Sequence, residues 1–295
     1  MSALILALNP SIDAEWRVAD VLWEEKNNIL SERRWAGGKG INVARWLKYL
    51  GGKPQLLLPL GGLSGAELAG YLRQEKISAH VIPLREATRV NVIVTAAAGR
   101  QVRFNPLGPK LSSSEWRKLL VTLEKQLPRV KLLVLSGSLP QGVPVNAYSQ
   151  IIRRAQRLGV KTLLDCDGAP FAAAVSARPF LVKPNEHELG LWWEKALRSE
   201  AEILTAARAL SAATHGWVLV SRGGKRSLLV NVSEDFQQFA APQKVKPRNT
   251  VGAGDSLLAA VARQMQLGSA PTEWLRCGLA TGTEATQLPA GNLPA

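Results

Sequence analysis

The run Asn249-Thr250-Val251-Gly252-Ala253-Gly254-Asp255-Ser256 gathers two glycines, an alanine and a carboxylate into one turn. Leu257, Leu258, Val261 and Met265 then recur on or near one face of a helix. Small residues leave backbone amides bare at the start of that helix, where unpaired N–H groups and the helix dipole hold anions. Asp255 can accept a proton from a hydroxyl held beside it. Charge developing on a transferring phosphoryl group would then rest on the amides of Gly252, Ala253 and Gly254. Asp is also a common cap or charge balance at a helix start. From this motif alone both readings of Asp255 stand.

Two further motifs suit the same chemistry. In Ala36-Gly37-Gly38-Lys39-Gly40-Ile41-Asn42-Val43-Ala44 a glycine-rich turn opens a helix; it admits close approach of a ligand and offers Asn42 to hydroxyls. The spacing of a Walker A loop is absent, and a plain glycine N-cap is the competing reading. Lys183-Pro184-Asn185-Glu186-His187-Glu188 is a helix start in which Glu188 can reach back as in a capping box. Its functional reading is outer-shell organisation of Mg²⁺ through water. Asn9, Asp13, Ser136-Gly137-Ser138, Asp165 and Ser221-Arg222-Gly223-Gly224 follow short apolar runs. Together they predict one cleft at the carboxyl ends of strands.

The elements that must hold these residues are legible as short apolar runs between helical patterns. The runs are Leu4–Leu8, Gln55–Leu60, Leu132–Leu135, Thr162–Leu164, Phe180–Val182 and Val218–Val220. Each reads as a strand buried on both faces. Helical patterns lie at about 40–50, 65–76, 114–127, 145–158, 186–197, 201–214 and 254–267. The alternation predicts an α/β fold with a mainly parallel central sheet. Residues 12–36 and 88–105 break the rhythm with strands of mixed polarity, and predict a discontinuous β lid. Residues 1–11, 37–87 and 106–295 form the main domain. Trp16, Trp23 and Trp35 fall in the lid, where they serve a subunit interface or pack beneath it.

Composition narrows the class. An apolar fraction of 46% in 295 residues excludes extensive disorder. No run of 18 apolar residues exists to span a membrane. The apolar start reads as a first strand and not a signal peptide. Two distant cysteines, Cys166 and Cys277, suit a reducing cytoplasm. The net charge of +14 allows nucleic acid, acidic membrane or phosphorylated metabolites as partners. The basic residues are dispersed, however, with no basic tail, and this argues against nucleic acid.

The ordered series Asn9-Pro10-x-x-Asp13, Gly37-Gly38-Lys39-Gly40-x-Asn42-Val43-Ala44, Ser136-Gly137-Ser138-Leu139-Pro140, Lys183-Pro184-Asn185-x-x-Glu188 and Thr250-x-Gly252-Ala253-Gly254-Asp255 resembles the ribokinase-like (phosphofructokinase B) sugar kinases. The nearest branch is 1-phosphofructokinase and tagatose-6-phosphate kinase, with the minor bacterial 6-phosphofructokinase close by. The resemblance covers roughly residues 4–285. It implies a three-layer α/β/α sandwich with a small β-sheet lid, working as a homodimer through that lid. It also implies ATP and Mg²⁺, with Asp255 as the base and Gly252, Ala253 and Gly254 as the anion hole. Asp13, Gly38, Lys39 and Asn42 would hold sugar hydroxyls. Lys26, Arg89 and Arg103, helped by Ser138, would hold the phosphate already on the sugar. Lys183, Asn185, Ser221, Gly223 and Gly282 would bind the nucleotide, and Asn185, Glu188 and Asp165 would organise the metal.

Three departures from the family pattern stand out. Cys166 and Asp167 replace small hydroxyl residues, Arg226 replaces a glycine of the nucleotide loop, and the usual C-terminal helix is missing after Thr286. The expected activity is ATP-dependent phosphorylation of a phosphorylated ketohexose, fructose 1-phosphate first, to a bisphosphate. Tagatose-6-phosphate or 6-phosphofructokinase activity, a nucleoside or simple sugar kinase, and a non-catalytic sugar-phosphate sensor follow as alternatives.

Overall fold

The structure, a computed structural model, describes residues 2–97 and 99–294. In chain order its elements are β1 Ala3–Leu6, β2 Ser11–Val18, β3 Ser31–Gly37, α1 Lys39–Tyr49, β4 Pro54–Gly61, α2 Gly62–Gln74, β5 Ser78–Leu84, β6 Arg89–Ala96 and β7 Gln101–Phe104. There follow α3 Ser113–Gln126, β8 Leu132–Ser136, α4 Ala147–Arg157, β9 Lys161–Asp165, α5 Gly168–Val175, β10 Leu181–Val182, α6 Glu186–Trp193 and α7 Glu200–Thr214. The chain continues through β11 Trp217–Val220, β12 Ser227–Asn231, β13 Phe236–Ala240, α8 Ala253–Leu267 and α9 Pro271–Gln287.

Nine strands form the main sheet in the order β13-β12-β11-β10-β9-β8-β1-β4-β5. From β11 to β5 all pairings are parallel; β12 and β13 add an antiparallel hairpin at one edge. Alternate side chains enter opposite cores, as a two-residue period requires. Ala3, Ile5, Leu56, Leu58 and Val134 pack with α1, α2, α8 and α9. Leu4, Leu6, Leu57, Leu133 and Leu135 pack with α3, α4, α5, α6 and α7. A sheet covered on both sides accounts for the unbroken apolar runs. No helix among the described residues is long and apolar enough to cross a membrane.

A second, four-stranded sheet has the order β3-β2-β6-β7. It takes its strands from the two segments whose mixed polarity set them apart. Its outer end is the turn before β3, where Asn27 Nδ2 donates to Leu22 O at 2.7 Å and Asn27 Oδ1 accepts from Leu22 N at 2.8 Å. Leu22, Trp23, Ile29 and Leu30 are exposed there, Trp23 at 78%. Trp35 instead packs under the small sheet with Ile93, Ala290 and Val251. The final segment is strapped to this sheet: Arg33 donates to Ala290 O and to Asn292 Oδ1.

Several elements were not expected. β5 is a half-exposed edge strand, and the hairpin adds β12, which is fully buried, and β13, a partly exposed outer strand. α5 is short, with Pro170 in its first turn. α9 is rich in small residues because it lies close against α8: a Cβ on Gly278 would come within 3.2 Å of Leu257 Cγ. α6 stops at Trp193, short of the expected 197, because Glu194 takes a left-handed conformation.

Candidate active site

The carboxyl ends of the parallel strands open into a cleft of about 900 Å³. That volume is enough for two small ligands side by side. Asp165 ends β9, Lys183 follows β10, Ser221 follows β11, and the N-termini of α1 and α8 point in from one flank. The small sheet closes the other side with Asp13, Arg89, Asn91 and Arg103.

At the centre, Gly252 caps α8 with φ of 80°, a left-handed conformation suited to glycine. It sends the first-turn amides of the helix into the cleft. Asp255, in that turn, is 6% exposed. Its Oδ2 accepts a hydrogen bond of 2.8 Å from Asn42 Nδ2, and its Oδ1 has none among the described residues. Burial raises the Asp255 carboxyl to about 6, helped by the Asp165 charge and opposed by Asn42, Lys39 and Lys183. A carboxylate in that range is matched to base work near neutrality.

Asp165 is almost fully buried and lies 3.3 Å from both Lys39 Nζ and Lys183 Nζ. It thereby aims two ammonium groups at the floor of the cleft. A Cβ on Gly254 would lie 3.3 Å from Lys183 Nζ, so this cation stands beside the bare amides. Burial pulls the Lys39 pKa down, but Asp165, Glu188, Asp255 and Asp167 together push it above its ordinary value.

At the small-sheet end, Ser11 Oγ and Asn91 Nδ2 each donate to Asp13 Oδ1 at 2.8 Å. Asp13 Oδ2 has no hydrogen bond among the described residues. Burial raises the Asp13 pKa against those bonds and the charges of Arg89 and Arg45. Gly37 makes room for this carboxylate, since any Cβ there would collide with it. Arg89 is fastened by donation to Pro106 O and Asn9 O, both at 2.9 Å. Arg103 also lines the cleft but is exposed; its one hydrogen bond among the described residues goes to Gln101 at 3.0 Å. Ser138 lies in an adjoining pocket of about 170 Å³ that shares Gly38, Lys39, Arg89 and Asp167 with the cleft. It accepts from Asn9 Nδ2 at 3.1 Å. Lys26 stands apart, exposed at the outer turn of the small sheet and absent from the walls of the cleft.

The remaining candidates line the opposite end. Asn185 and Glu188 form a reciprocal capping box, each backbone N–H donating to the other's side chain at 2.8 Å. Both still border the cleft, as do Ser221, Gly223 and Gly282. Gly282 admits α9 against α8, for a Cβ there would sit 3.3 Å from Ala253 O. Among the described residues no group of three or more His, Cys, Asp or Glu side chains is placed to hold a metal ion. Asp165 is enclosed by two ammonium groups, so its donors do not suit direct ligation. One carboxylate and one amide at the wall, Glu188 and Asn185, suit a hydrated Mg²⁺ that takes its other ligands from water and phosphate. Cys166 is buried in the core, whereas its neighbour Asp167 reaches the cleft.

The structure also brings in residues that were not candidates. Asn91 enters through the pairing of β2 with β6, which sets Asp13 opposite Asn91. Asn105, Thr250 and the segment Pro242–Val245 complete the walls. Thr250 lay in plain view within the glycine motif. Asn91 and Asn105 had no local signal.

A profile described as pfkB family carbohydrate kinase matches residues 11–294. The ATP-dependent 6-phosphofructokinase isozyme 2 of Escherichia coli K12 is 33% identical over 287 residues, covering 95% of this chain and 91% of that protein. The 1-phosphofructokinase of Bacillus subtilis 168 is 31% identical over 282 residues, covering 94% and 90%. The crystal structure of phosphofructokinase-2 from Escherichia coli in complex with substrates and products superposes with a TM-score of 0.91 at 32% identity, covering 97% of this chain and 94% of that one.

Proposed function

The chain belongs to the pfkB family of carbohydrate kinases, and on that premise we propose that it transfers the γ-phosphoryl group of ATP to fructose 1-phosphate, giving a bisphosphate. The observation that carries the reading is Asp255, held by Asn42 beside the bare amides of α8 and the Lys183 ammonium.

In this reading Asp13 Oδ2 and Asn42 orient the sugar so that its free hydroxyl meets Asp255 Oδ1. Asp255 takes the hydroxyl proton as the oxygen attacks phosphorus. The amides of Gly252, Ala253 and Gly254, with Lys183 and Lys39, neutralise the charge on the transferring group. Phosphoryl transfer asks mainly for such positioning and charge stabilisation. Bound Mg²⁺, organised by Asn185 and Glu188, supplies further neutralisation of the phosphates. Ser221, Gly223 and Gly282 receive the nucleotide. Arg89, with Arg103 and Ser138, takes the phosphate already on the sugar, and Lys26, which stands outside the cleft, has no part in it. The small sheet acts as a lid over that end. The exposed Leu22, Trp23, Ile29 and Leu30 at its tip support a homodimer through the lid. The free cysteines suit the cytoplasm.

The second reading is phosphorylation of fructose 6-phosphate in the same cleft, supported by the 33% identical relative, with tagatose 6-phosphate after it. Arg89 beside the sugar end argues against a nucleoside or neutral sugar, and the Asp255 geometry argues against a non-catalytic sensor. Coupled ADP release over the three sugar phosphates and free fructose tests the proposal. Turnover ranks fructose 1-phosphate first; faster turnover of free fructose would overturn the phosphorylated substrate. Sedimentation tests the dimer, and a monomer at micromolar concentration would remove it.

A further inference from the structure

Arg222 lies in the loop 221–226 between β11 and β12, and its side chain is only 6% exposed. Its Nε donates to Glu186 at 2.9 Å, and one terminal nitrogen reaches Glu200 at 3.3 Å and Arg226 O at 3.0 Å. Glu186 opens α6 and Glu200 opens α7, so one guanidinium fastens two helix starts to the loop. Both glutamates also sit where a helix N-terminus favours negative charge.

The backbone completes the joint. Glu186 N donates to Ser221 O and Ser221 N to Pro184 O, each at 3.1 Å. Ser221 is thereby aligned with Asn185. The rest of the loop has little to pack on. Gly223 has φ of 56°, and a Cβ built on Gly223 or Gly224 would meet nothing within 4 Å. Arg226 shares Glu200 at 3.0 Å from its exposed side and lies over the Phe239 ring at 5.0 Å, and the exposed Lys225 reaches Glu186 at 3.5 Å, so Arg222 is the buried member of this joint. The glycines that face the cleft are therefore held by their neighbour and not by contacts of their own.

We infer that Arg222 is a positioning residue for the nucleotide: it presets the loop Ser221–Gly224 against Asn185 in the shape that receives ATP. This rests on the reading that ATP binds at this end of the cleft. A preset loop loses less conformational freedom on binding, so the contribution falls on nucleotide affinity and not on the chemical step. Lysine cannot replace it fully, because a point charge reaches one carboxylate where the guanidinium fork reaches two.

The test is steady-state kinetics of the full chain with Mg²⁺, ATP and whichever sugar phosphate it turns over, with thermal melts in parallel. Arg222→Met is expected to raise KM for ATP about tenfold, with kcat and sugar-phosphate KM within about twofold. Arg222→Lys falls between, and Glu200→Gln shows about a threefold rise. Gly223→Val, strained at its positive φ, reports independently on whether this loop meets ATP. If Gly223→Val raises KM for ATP and Arg222→Met does not, the positioning role is overturned and the nucleotide end stands. If neither moves it, the nucleotide end itself is overturned. A joint loss in kcat and both KM values, in step with the melting temperature, reduces Arg222 to a structural residue and overturns the role. Should Arg222→Met fail to fold, Glu186→Gln and Glu200→Gln carry the test, and unchanged KM for ATP in both would overturn it.

Discussion

The centre of the cleft and its small-sheet end are built differently. At the centre the charged groups hold one another: Asn42 fixes Asp255, and Asp165 fixes Lys39 and Lys183. These residues come from strand ends and helix starts of the main sheet. At the other end Asp13 and Arg89 are pinned, but Arg103 is exposed and Lys26 lies outside the cleft. The contrast separates two tasks. In the proposed function the main body preorganises charge for phosphoryl transfer, and the small sheet would supply contacts that complete with the substrate.

The largest expected effect is at the centre. Asp255→Asn keeps the shape but removes the base, and kcat is expected to fall about 10³- to 10⁴-fold. A kcat within tenfold of the parent in a rapid-quench assay would break the distinction. The same variant is expected to melt a few degrees higher at neutral pH. The folded Asp255 titrates at about 6 against an ordinary 3.8. Its favourable contribution is therefore complete below 3.8 and lost as pH rises through 6.

Asp165→Asn comes next, with kcat expected to fall about 10²-fold as Lys39 and Lys183 lose their shared anchor. It also sharpens the assignment of the base. In the parent, kcat/KM should decline below about pH 6, where Asp255 gains a proton. Neutralising Asp165 removes a negative neighbour that raises that pKa, so the acid limb moves to lower pH. A limb that stays in place would point to another group.

Arg89→Gln tests the other side of the comparison. KM for the sugar phosphate is expected to rise about 10- to 100-fold with kcat little changed, read by varying the sugar phosphate at saturating ATP. Arg103→Ala should cost least, about threefold in the same KM, because its guanidinium is solvated. A larger loss for Arg103 than for Arg89 would reverse the roles given to the pinned and the exposed arginine.

Much of this architecture was legible in the sequence because its signals are local. Buried parallel strands leave continuous apolar runs, and the amides and Asp255 lie within one turn of chain. What could not be read depends on pairings between distant segments. Asn91 belongs to the site only because β2 and β6 align it with Asp13. Asn42, read as a hydroxyl ligand, also holds Asp255, a relation that needs α1 and α8 side by side. β5 and β13 are edge strands whose exposed faces blur the apolar pattern, while the buried β12 arrives through an antiparallel hairpin that breaks the alternation of strand and helix. Gly278 and Gly282 weaken the helical pattern of α9 for the same reason that they permit its packing.

The strap across Trp35 bears on the order in which the chain can be assembled. Arg33 and Ala290 are 257 positions apart. At about 5–20 residues per second of synthesis, β3 waits on the order of tens of seconds for the segment that pins it. Val251, beside the bare amides, packs against the same small apolar cluster of Trp35, Ile93 and Ala290. The small sheet and the turn that feeds α8 are thus finished together, late, by the same few residues, and a nascent chain lacking them has neither in its final form.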